Sequence, residues 1–168
     1  MSDQVSLPMQ IRDDLQALLD ERAIVEVITR YSRGLDRCDE ALLISCYHSD
    51  GIDDHGSFKG LGSDFAKYIV DRYRNGPMTQ HVVTNIRIEL DGDVAYGETY
   101  VEMRSAGVDG SPQSGFGRYI DVFTRRDGEW RISERRVTAE NPSPGRDPSL
   151  FLASRQDRQD PSYSRQRI

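Results

Sequence analysis

Apolar residues recur every three or four positions through the segment DDLQALLDERAIVEVITRYSRGLD near the start of the chain. Leu18, Val25, Ile28 and Leu35 share one side of a helix at this spacing. The segment therefore predicts an amphipathic helix with one buried stripe. Gly34 and the polar residues that follow indicate that the helix ends there.

Two shorter helices are predicted after the first. Asp39 can act as the N-cap of a helix in DEALLISCYH, and Ser63 can cap another in SDFAKYIVDRYRN. Between them, GIDDHGSFKG has the composition of a brief strand bounded by glycines. The residues expected on the apolar side of the last helix are Phe65, Ile69, Val70 and Tyr73.

The second half of the chain has the composition of long strands. VVTNIRIEL and VAYGETYVEM are joined at Asp91-Gly92-Asp93, and FGRYIDVFTRR and EWRISERRVTAE are joined at Asp127-Gly128. Such Asp-Gly pairs between β-rich runs are strong hairpin signals. Helices followed by a meander of antiparallel strands predict an α+β domain, with the helices on one face of a curved sheet.

The domain is expected to span residues 1–141, followed by an extended tail over 142–168 that is rich in proline and polar residues. The triplet Leu150-Phe151-Leu152 is the apolar exception in this tail. Covering each of these side chains would contribute about 1.5–3 kcal/mol. We therefore expect the tail to dock, either on its own domain or on a neighbouring subunit.

Composition narrows the function. The chain has 168 residues and a formal net charge of −6, which argues against a nucleic-acid partner that needs a basic surface. No apolar run approaches the ~18 residues of a membrane span, and the first residues lack the pattern of a secretory signal. Two cysteines, Cys38 and Cys46, are too few for a disulfide framework. A cytoplasmic protein is the default expectation.

Asp36 and His81 are the main candidates for chemistry. Asp36 follows Val25 by eleven residues, which returns a helix to nearly the same side. A histidine paired with a carboxylate could act as a general base. The alternatives are a solvated carboxylate in a turn and a strand histidine satisfied by a neighbour. Simple alternation places His81 opposite the more apolar strand face, which consists of Val82, Thr84, Ile86, Ile88 and Leu90.

Three phrases of the sequence resemble the SnoaL-like group of the nuclear transport factor 2-like superfamily. They are ITRYSRGLDRCD, QHVVTNIRIELDGDVA and GRYIDVFTRRDGEWRISERR, which together extend from the first helix to the last strand. The resemblance implies a cone formed by a strongly bent antiparallel sheet, closed by the N-terminal helices around a deep apolar pocket. The enzymes of this superfamily that the chain resembles are scytalone dehydratase, hexachlorocyclohexane dehydrochlorinase and bile-acid 7α-dehydratase.

The resemblance also implies roles for individual residues. Asp36 and His81 stand where those enzymes carry an acid–base dyad, Tyr31 matches a pocket tyrosine, and Arg118 matches more loosely an arginine in the cavity. Tyr31 could equally be a core residue. Arg118 shares strand parity with apolar neighbours, and an ion pair with Asp36 or Glu98 is its structural alternative.

His55 is expected to contact the substrate rather than to take part in catalysis. The other expected substrate-binding residues could each also be plain core residues: Tyr47, Phe65, Tyr68, Ile69, Tyr100 and Met103. Asp53, Asp54 and His55 suggest metal ligation at first sight, but adjacent strand residues point to opposite faces. No metal and no organic cofactor are therefore expected.

These observations favour a cofactor-independent lyase with an Asp-His dyad. The expected reaction is loss of water, halide or a small carbon fragment from a small hydrophobic cyclic or aromatic substrate. The alternatives are an isomerase that uses the same dyad, and a non-catalytic ligand-binding protein or dioxygenase small subunit. By resemblance the expected partner is a further copy of the chain, in a trimer first and a dimer second.

Overall fold

The computed structural model describes residues 8–107, 109–141 and 151–164. The helices are α1 (Met9–Arg37), α2 (Glu40–Ile44), α3 (Gly62–Arg74) and a short 3₁₀ helix (Pro161–Tyr163). The strands are β1 (Tyr47–Asp54), β2 (Lys59–Leu61), β3 (Gln80–Asp91), β4 (Val94–Ala106), β5 (Pro112–Arg126), β6 (Glu129–Asn141) and β7 (Leu152–Ala153).

The buried stripe of α1 begins later than the sequence pattern predicts. Leu18 is 64% exposed, and no residue of α1 before Asp20 is buried. Packing of α1 on the sheet starts at Asp20. Its carboxylate accepts a hydrogen bond from Trp130 Nε1 at 2.8 Å and forms an ion pair with Arg125 at 2.9 Å. The expected burial of Leu18 is therefore wrong: the first turns of α1 carry an apolar stripe that their own domain leaves uncovered.

The other two helices differ from each other in how they begin. Asp39 caps α2 as predicted, since its Oδ1 accepts a hydrogen bond from the Leu42 amide at 3.0 Å. Ser63 does not cap α3, because the helix already includes Gly62 and its N-cap is Leu61, which has no side-chain hydrogen-bonding group. On the expected apolar side of α3, Phe65, Ile69 and Val70 are buried and Tyr73 is partly buried.

Within the described residues the strands form one sheet in the order β2-β1-β6-β5-β4-β3. Strands β3 to β6 are an antiparallel meander, while β1 runs parallel to β6. The β3–β4 turn has a positive φ of 61° at Gly92, and the β5–β6 turn has positive φ at both Asp127 (53°) and Gly128 (81°). These angles suit type II′ and I′ hairpins respectively. The predicted α+β class with a curved sheet is confirmed.

A bulge in β3 decides which face His81 occupies. Thr84 pairs with Tyr100 and Arg87 with Glu98, so two residues of β3, Asn85 and Ile86, lie opposite one residue of β4. Asn85 has a φ of 47°, which a bulge residue can adopt and a regular strand residue does not. The alternation of side chains between the two faces of β3 therefore reverses at the bulge. The expectation that His81 lies opposite the apolar face is wrong, because His81 shares the helix-covered face with the partly buried Val83, Ile86, Ile88 and Leu90.

The described part of the tail packs on its own domain. β7 pairs in parallel with Thr138 and Ala139 of β6. It lies on the same edge of β6 as β1, which pairs with earlier residues of that strand. Phe151 is partly buried against the core, and Asp160 is 3% exposed. Leu150 of the apolar triplet lies outside the described residues.

Candidate functional site

Asp36 and His81 are joined by three close contacts. Asp36 lies in the last turn of α1 and His81 near the start of β3, 45 residues later. Asp36 Oδ1 is 2.6 Å from His81 Nδ1, and the two carboxylate oxygens lie 3.0 and 3.1 Å from the His81 amide nitrogen. The carboxylate thus accepts from both the backbone and the ring. Such a contact favours the tautomer with hydrogen on Nδ1 and a lone pair on Nε2.

His81 forms part of the wall of a cavity of about 140 Å³. The cavity lies between α3 and the helix-covered face of β4, β5 and β6. The His81 side chain is only 5% exposed, and the Tyr73 ring stacks on it with centroids 6.4 Å apart. Asp36 does not line the cavity and holds the imidazole from behind. The apolar lining includes Leu35, Ile69, Val101, Met103, Tyr119, Val137 and Phe151.

Several residues expected to bind substrate do line this cavity. They are His55, Phe65, Tyr68, Ile69 and Met103. Tyr68 is 40% exposed and accepts a hydrogen bond from Arg72 at 3.1 Å, which places this pair at the rim. Phe65 and Ile69 are buried on α3 and belong to the hydrophobic core as well as to the wall.

Tyr31 and Tyr47 do not line the cavity, contrary to the expectation. Five residues of helix turn the chain by about 500°, which leaves Tyr31 about 140° around α1 from Asp36. The Tyr31 ring packs edge-on against Tyr47 and Tyr119 in the core. Burial and the nearby Asp53 carboxylate raise the pKa of both Tyr31 and Tyr47 well above the usual phenol value, so both remain protonated.

Arg118 and Tyr100 also lie outside the cavity, on the opposite face of the sheet. They are directly paired across β4 and β5, and the Arg118 guanidinium lies 5.9 Å from the Tyr100 ring centroid. The ion pair with Glu98 considered as the structural alternative is present, at 2.8 Å. Arg118 further contacts Asp160 at 2.8 Å and also Glu140. Placing Arg118 in the cavity was therefore wrong: strand alternation directs it outward.

Burial alone would lower the pKa of Arg118. The carboxylates around Arg118, above all Asp160 and Glu98, outweigh this effect and raise its pKa above the ordinary value. Its charge is thus held in the tail-docking cluster, which we define as Arg118, Glu98, Glu140 and Asp160. This cluster borders a larger, polar groove of about 970 Å³ on the outer face.

A buried ion pair supports the floor of the site. Arg135 donates to both oxygens of Asp121 at 2.8 Å, and both side chains are fully buried. The guanidinium lies between two phenol rings, 4.0 Å from the Tyr31 centroid and 4.2 Å from that of Tyr119. The guanidinium thus packs against Tyr119, which lines the cavity, and against Tyr31, which lies in the core behind it.

Sequence reasoning missed several wall residues. Tyr73 was recognised only as part of the apolar side of α3. Thr138 is among the residues that line the cavity, although its pairing with Arg118 directs its side chain to the outer face. Parity on β5 could have indicated Tyr119, but no local signal reveals that Phe151 of the tail reaches the cavity.

The described residues contain neither a membrane-spanning helix nor a metal-binding cluster. No helix in residues 8–107, 109–141 or 151–164 is long and apolar enough to cross a membrane. Over the same described ranges, no group of three or more histidine, cysteine, aspartate or glutamate side chains is placed to hold a metal ion.

Solved structures with the same fold include proteins named for elimination chemistry. A hexachlorocyclohexane dehydrochlorinase from Novosphingobium barchaimii is 23% identical, with a TM-score of 0.69 over 79% of this chain and 96% of the other. A putative scytalone dehydratase from Novosphingobium aromaticivorans is 21% identical, with a TM-score of 0.67 over 78% and 97%.

A protein of unknown function from Mycobacterium tuberculosis is 25% identical, with a TM-score of 0.68 over 74% of each chain. No functionally curated protein matches the sequence. The family model described as a SnoaL-like domain matches residues 16–136, which is most of the chain and includes both Asp36 and His81. The predicted family is confirmed, and the chain belongs to the SnoaL-like domain family.

Proposed function

We propose that this protein is a cofactor-independent lyase that acts on a small hydrophobic cyclic or aromatic substrate, with His81 as general base and Asp36 as its orienting partner. The observation that carries the proposal is the 2.6 Å contact between Asp36 Oδ1 and His81 Nδ1 at the wall of a largely apolar cavity.

In this proposal the two ring nitrogens of His81 have different roles. Nδ1 is engaged by Asp36, so Nε2 is the ring nitrogen available to a molecule in the cavity. Nε2 takes a proton from a substrate carbon, the electrons of that C–H bond form a double bond, and the leaving group departs from the neighbouring carbon. Asp36 keeps the ring in place and stabilises the imidazolium that forms, as the aspartate does in hydrolase triads.

The walls suit an apolar ring-shaped substrate. Phe65, Tyr119 and Val137 are almost fully buried and are arranged around the space that His81 faces. The His81 side chain is only 5% exposed, so little water screens its interaction with Asp36. The elimination chemistry named in two proteins of the same fold supports the choice of a lyase.

A substrate panel tests the proposal. Purified protein is incubated with hydroxylated and halogenated cyclic and aromatic compounds, and products are identified by mass spectrometry. Loss of the mass of water, hydrogen halide or a carbon fragment marks elimination, whereas a new, chromatographically distinct product of unchanged mass would mark isomerisation and reject the lyase.

Three variants then test the dyad. With a compound that the protein converts, His81→Gln and Asp36→Asn should each lower kcat by about 10²–10⁴-fold. His48→Gln is the matched control, because His48 contacts the Thr124 carbonyl at 2.9 Å and does not line the cavity. Activity retained in His81→Gln would refute the proposed base. Added chelator should leave the rate unchanged.

A further inference from the structure

A second histidine–aspartate pair faces the same cavity. Asp53 and His55 are two residues apart at the end of β1, so their side chains share one face while Asp54 points away. His55 Nδ1 contacts Asp53 Oδ1. Asp54 caps the following turn by accepting from the Gly56 amide at 2.9 Å, and this holds the backbone next to His55. His55 lines the cavity, as His81 does.

Helix α3 holds both imidazole rings. Phe65 stacks on His55 with centroids 4.1 Å apart and an interplanar angle of 16°. Tyr73, two turns further along α3, stacks on His81. The two histidines therefore border one cavity from different parts of the chain, and a substrate bound against α3 has access to both.

The two pairs differ in how their carboxylates are neutralised. Asp53 is fully buried, with Tyr47 donating to Oδ2 and His55 to Oδ1. The adjacent Arg135 donates to both oxygens of Asp121 instead. A buried carboxylate without a cation is costly, so an imidazolium at His55 is its natural counter-ion.

Asp36 has less need of a cation. Its side chain keeps 14% exposure, and both oxygens accept from the His81 amide. A neutral His81 with its proton on Nδ1 therefore satisfies that site. The two carboxylate environments therefore give the two histidines different roles. His55 holds a proton that it can donate, and His81 has a free lone pair that can accept one.

We propose that His55 is the general acid that protonates an oxygen leaving group, which makes the substrate an alcohol that loses water rather than a halide. This inference rests on the proposed lyase function and narrows its substrate class. His81 Nε2 takes the proton from carbon and the C–H electrons form the double bond. The neighbouring C–O bond breaks, and its oxygen takes the His55 proton to leave as water. Solvent then takes the proton from His81 Nε2 and supplies one to His55, which restores both starting states.

The leaving group is what makes the second pair necessary. A halide departs as a stable anion and needs no proton, whereas hydroxide is a poor leaving group in an apolar cavity. A merely structural His55–Asp53 contact would hold the turn after β1 and would not distinguish between the two leaving groups.

Nuclear magnetic resonance tests the protonation states without a substrate. The protein has three histidines, so the ¹⁵N-labelled imidazoles can be assigned individually by comparing the wild type with His48→Gln and His81→Gln. At neutral pH His55 should carry protons on both nitrogens, and His81 on Nδ1 alone. Asp53→Asn should convert His55 to the neutral form and leave His81 unchanged. A neutral His55 in the wild type would overturn the proposal.

Matched leaving groups test the chemistry. β-Hydroxycyclohexanone and β-chlorocyclohexanone both give cyclohexenone, whose ultraviolet absorbance reports turnover. His55→Gln should lower the rate with the hydroxyl compound by about 10²-fold or more and change the chloride rate only a few-fold. His81→Gln should lower both rates.

Each other result has a defined meaning. Equal effects of His55→Gln on the two compounds, including no effect on either, would overturn the role of His55 and leave the proposed lyase intact. Unchanged rates in His81→Gln would instead reject the proposed base. If the wild type converts neither compound, the resonance result alone decides.

Discussion

Arg118→Met should destabilise the protein by releasing the tail. The substitution keeps most of the side-chain volume and removes a guanidinium that contacts Glu98, Glu140 and Asp160. The side chain of Asp160 is only 2% exposed and would lose its charged partner. Two further effects follow: Ser154 Oγ loses a 2.9 Å hydrogen bond, and β7 loses its anchor beside Phe151.

The magnitude follows from the burial of the partners. Removing one member of a fully buried ion pair costs about 3–5 kcal/mol. The side chains of Glu98 and Glu140 keep 22% and 35% exposure, so water screens their part of the cluster. We therefore expect a loss of about 2–3 kcal/mol in the free energy of unfolding. For a chain of this size that lowers Tm by about 4–12 °C.

Urea unfolding followed by fluorescence of the single tryptophan, Trp130, measures this loss. Limited trypsin digestion adds a local measurement, because Arg155 and Arg158 in the tail should be cleaved faster when the tail is released. In a double-mutant cycle with Asp160→Asn, the two substitutions should be coupled by more than about 1 kcal/mol.

Arg104→Met is the matched control, since Arg104 pairs with Glu102 at 2.8 Å on the exposed surface. The reasoning would be refuted if Arg118→Met were no more destabilising than this control, or if Arg155 stayed protected from trypsin.

Three further predictions concern pH, the bulge and assembly. Burial alone would raise the pKa of Asp160, but hydrogen bonds from Arg118, Ser162 and backbone amides lower it well below its usual value. Its stabilisation is therefore present above the unfolded pKa of about 3.9 and lost as pH falls below it, and wild type and Asp160→Asn should converge in unfolding experiments at acid pH. Asn85→Val should cost about 1–3 kcal/mol because valine resists positive φ, whereas Asn85→Gly should be near neutral in the same urea assay. We expect the exposed Leu15 and Leu18 of α1 to lie in a subunit interface, so Leu18→Glu should lower the mass measured by light scattering; an unchanged mass would exclude that stripe from the interface.

Local sequence patterns predicted most of the fold. Period-four spacing located α1 and α3, and Asp-Gly pairs located both hairpins, because these signals depend on residues that are near neighbours in the chain. The start of the buried stripe of α1 could not be predicted in this way. Where a long helix meets its sheet depends on the β5–β6 hairpin that supplies Trp130 and Arg125 to Asp20, more than a hundred residues later.

The candidate site was predicted unevenly. Resemblance to the family pointed to Asp36 and His81, and the structure brings these two into contact, while it places Tyr31 in the core and Arg118 on the outer face. Tyr31 stands five residues from Asp36, and that spacing directs the two side chains to different sides of α1. Residues that are close in a sequence phrase are not thereby close around one cavity.

The order of helices and strands, the hairpin turns and the family could all be predicted from the sequence. The face of β3 that His81 occupies could not, because it depends on strand pairing. A strand alternates with period two, so one extra residue at Asn85 moves every preceding side chain to the other face. Whether a residue is extra depends on its pairing with β4. No count along β3 alone could show that His81 faces the cavity, where Asp36 approaches it from α1.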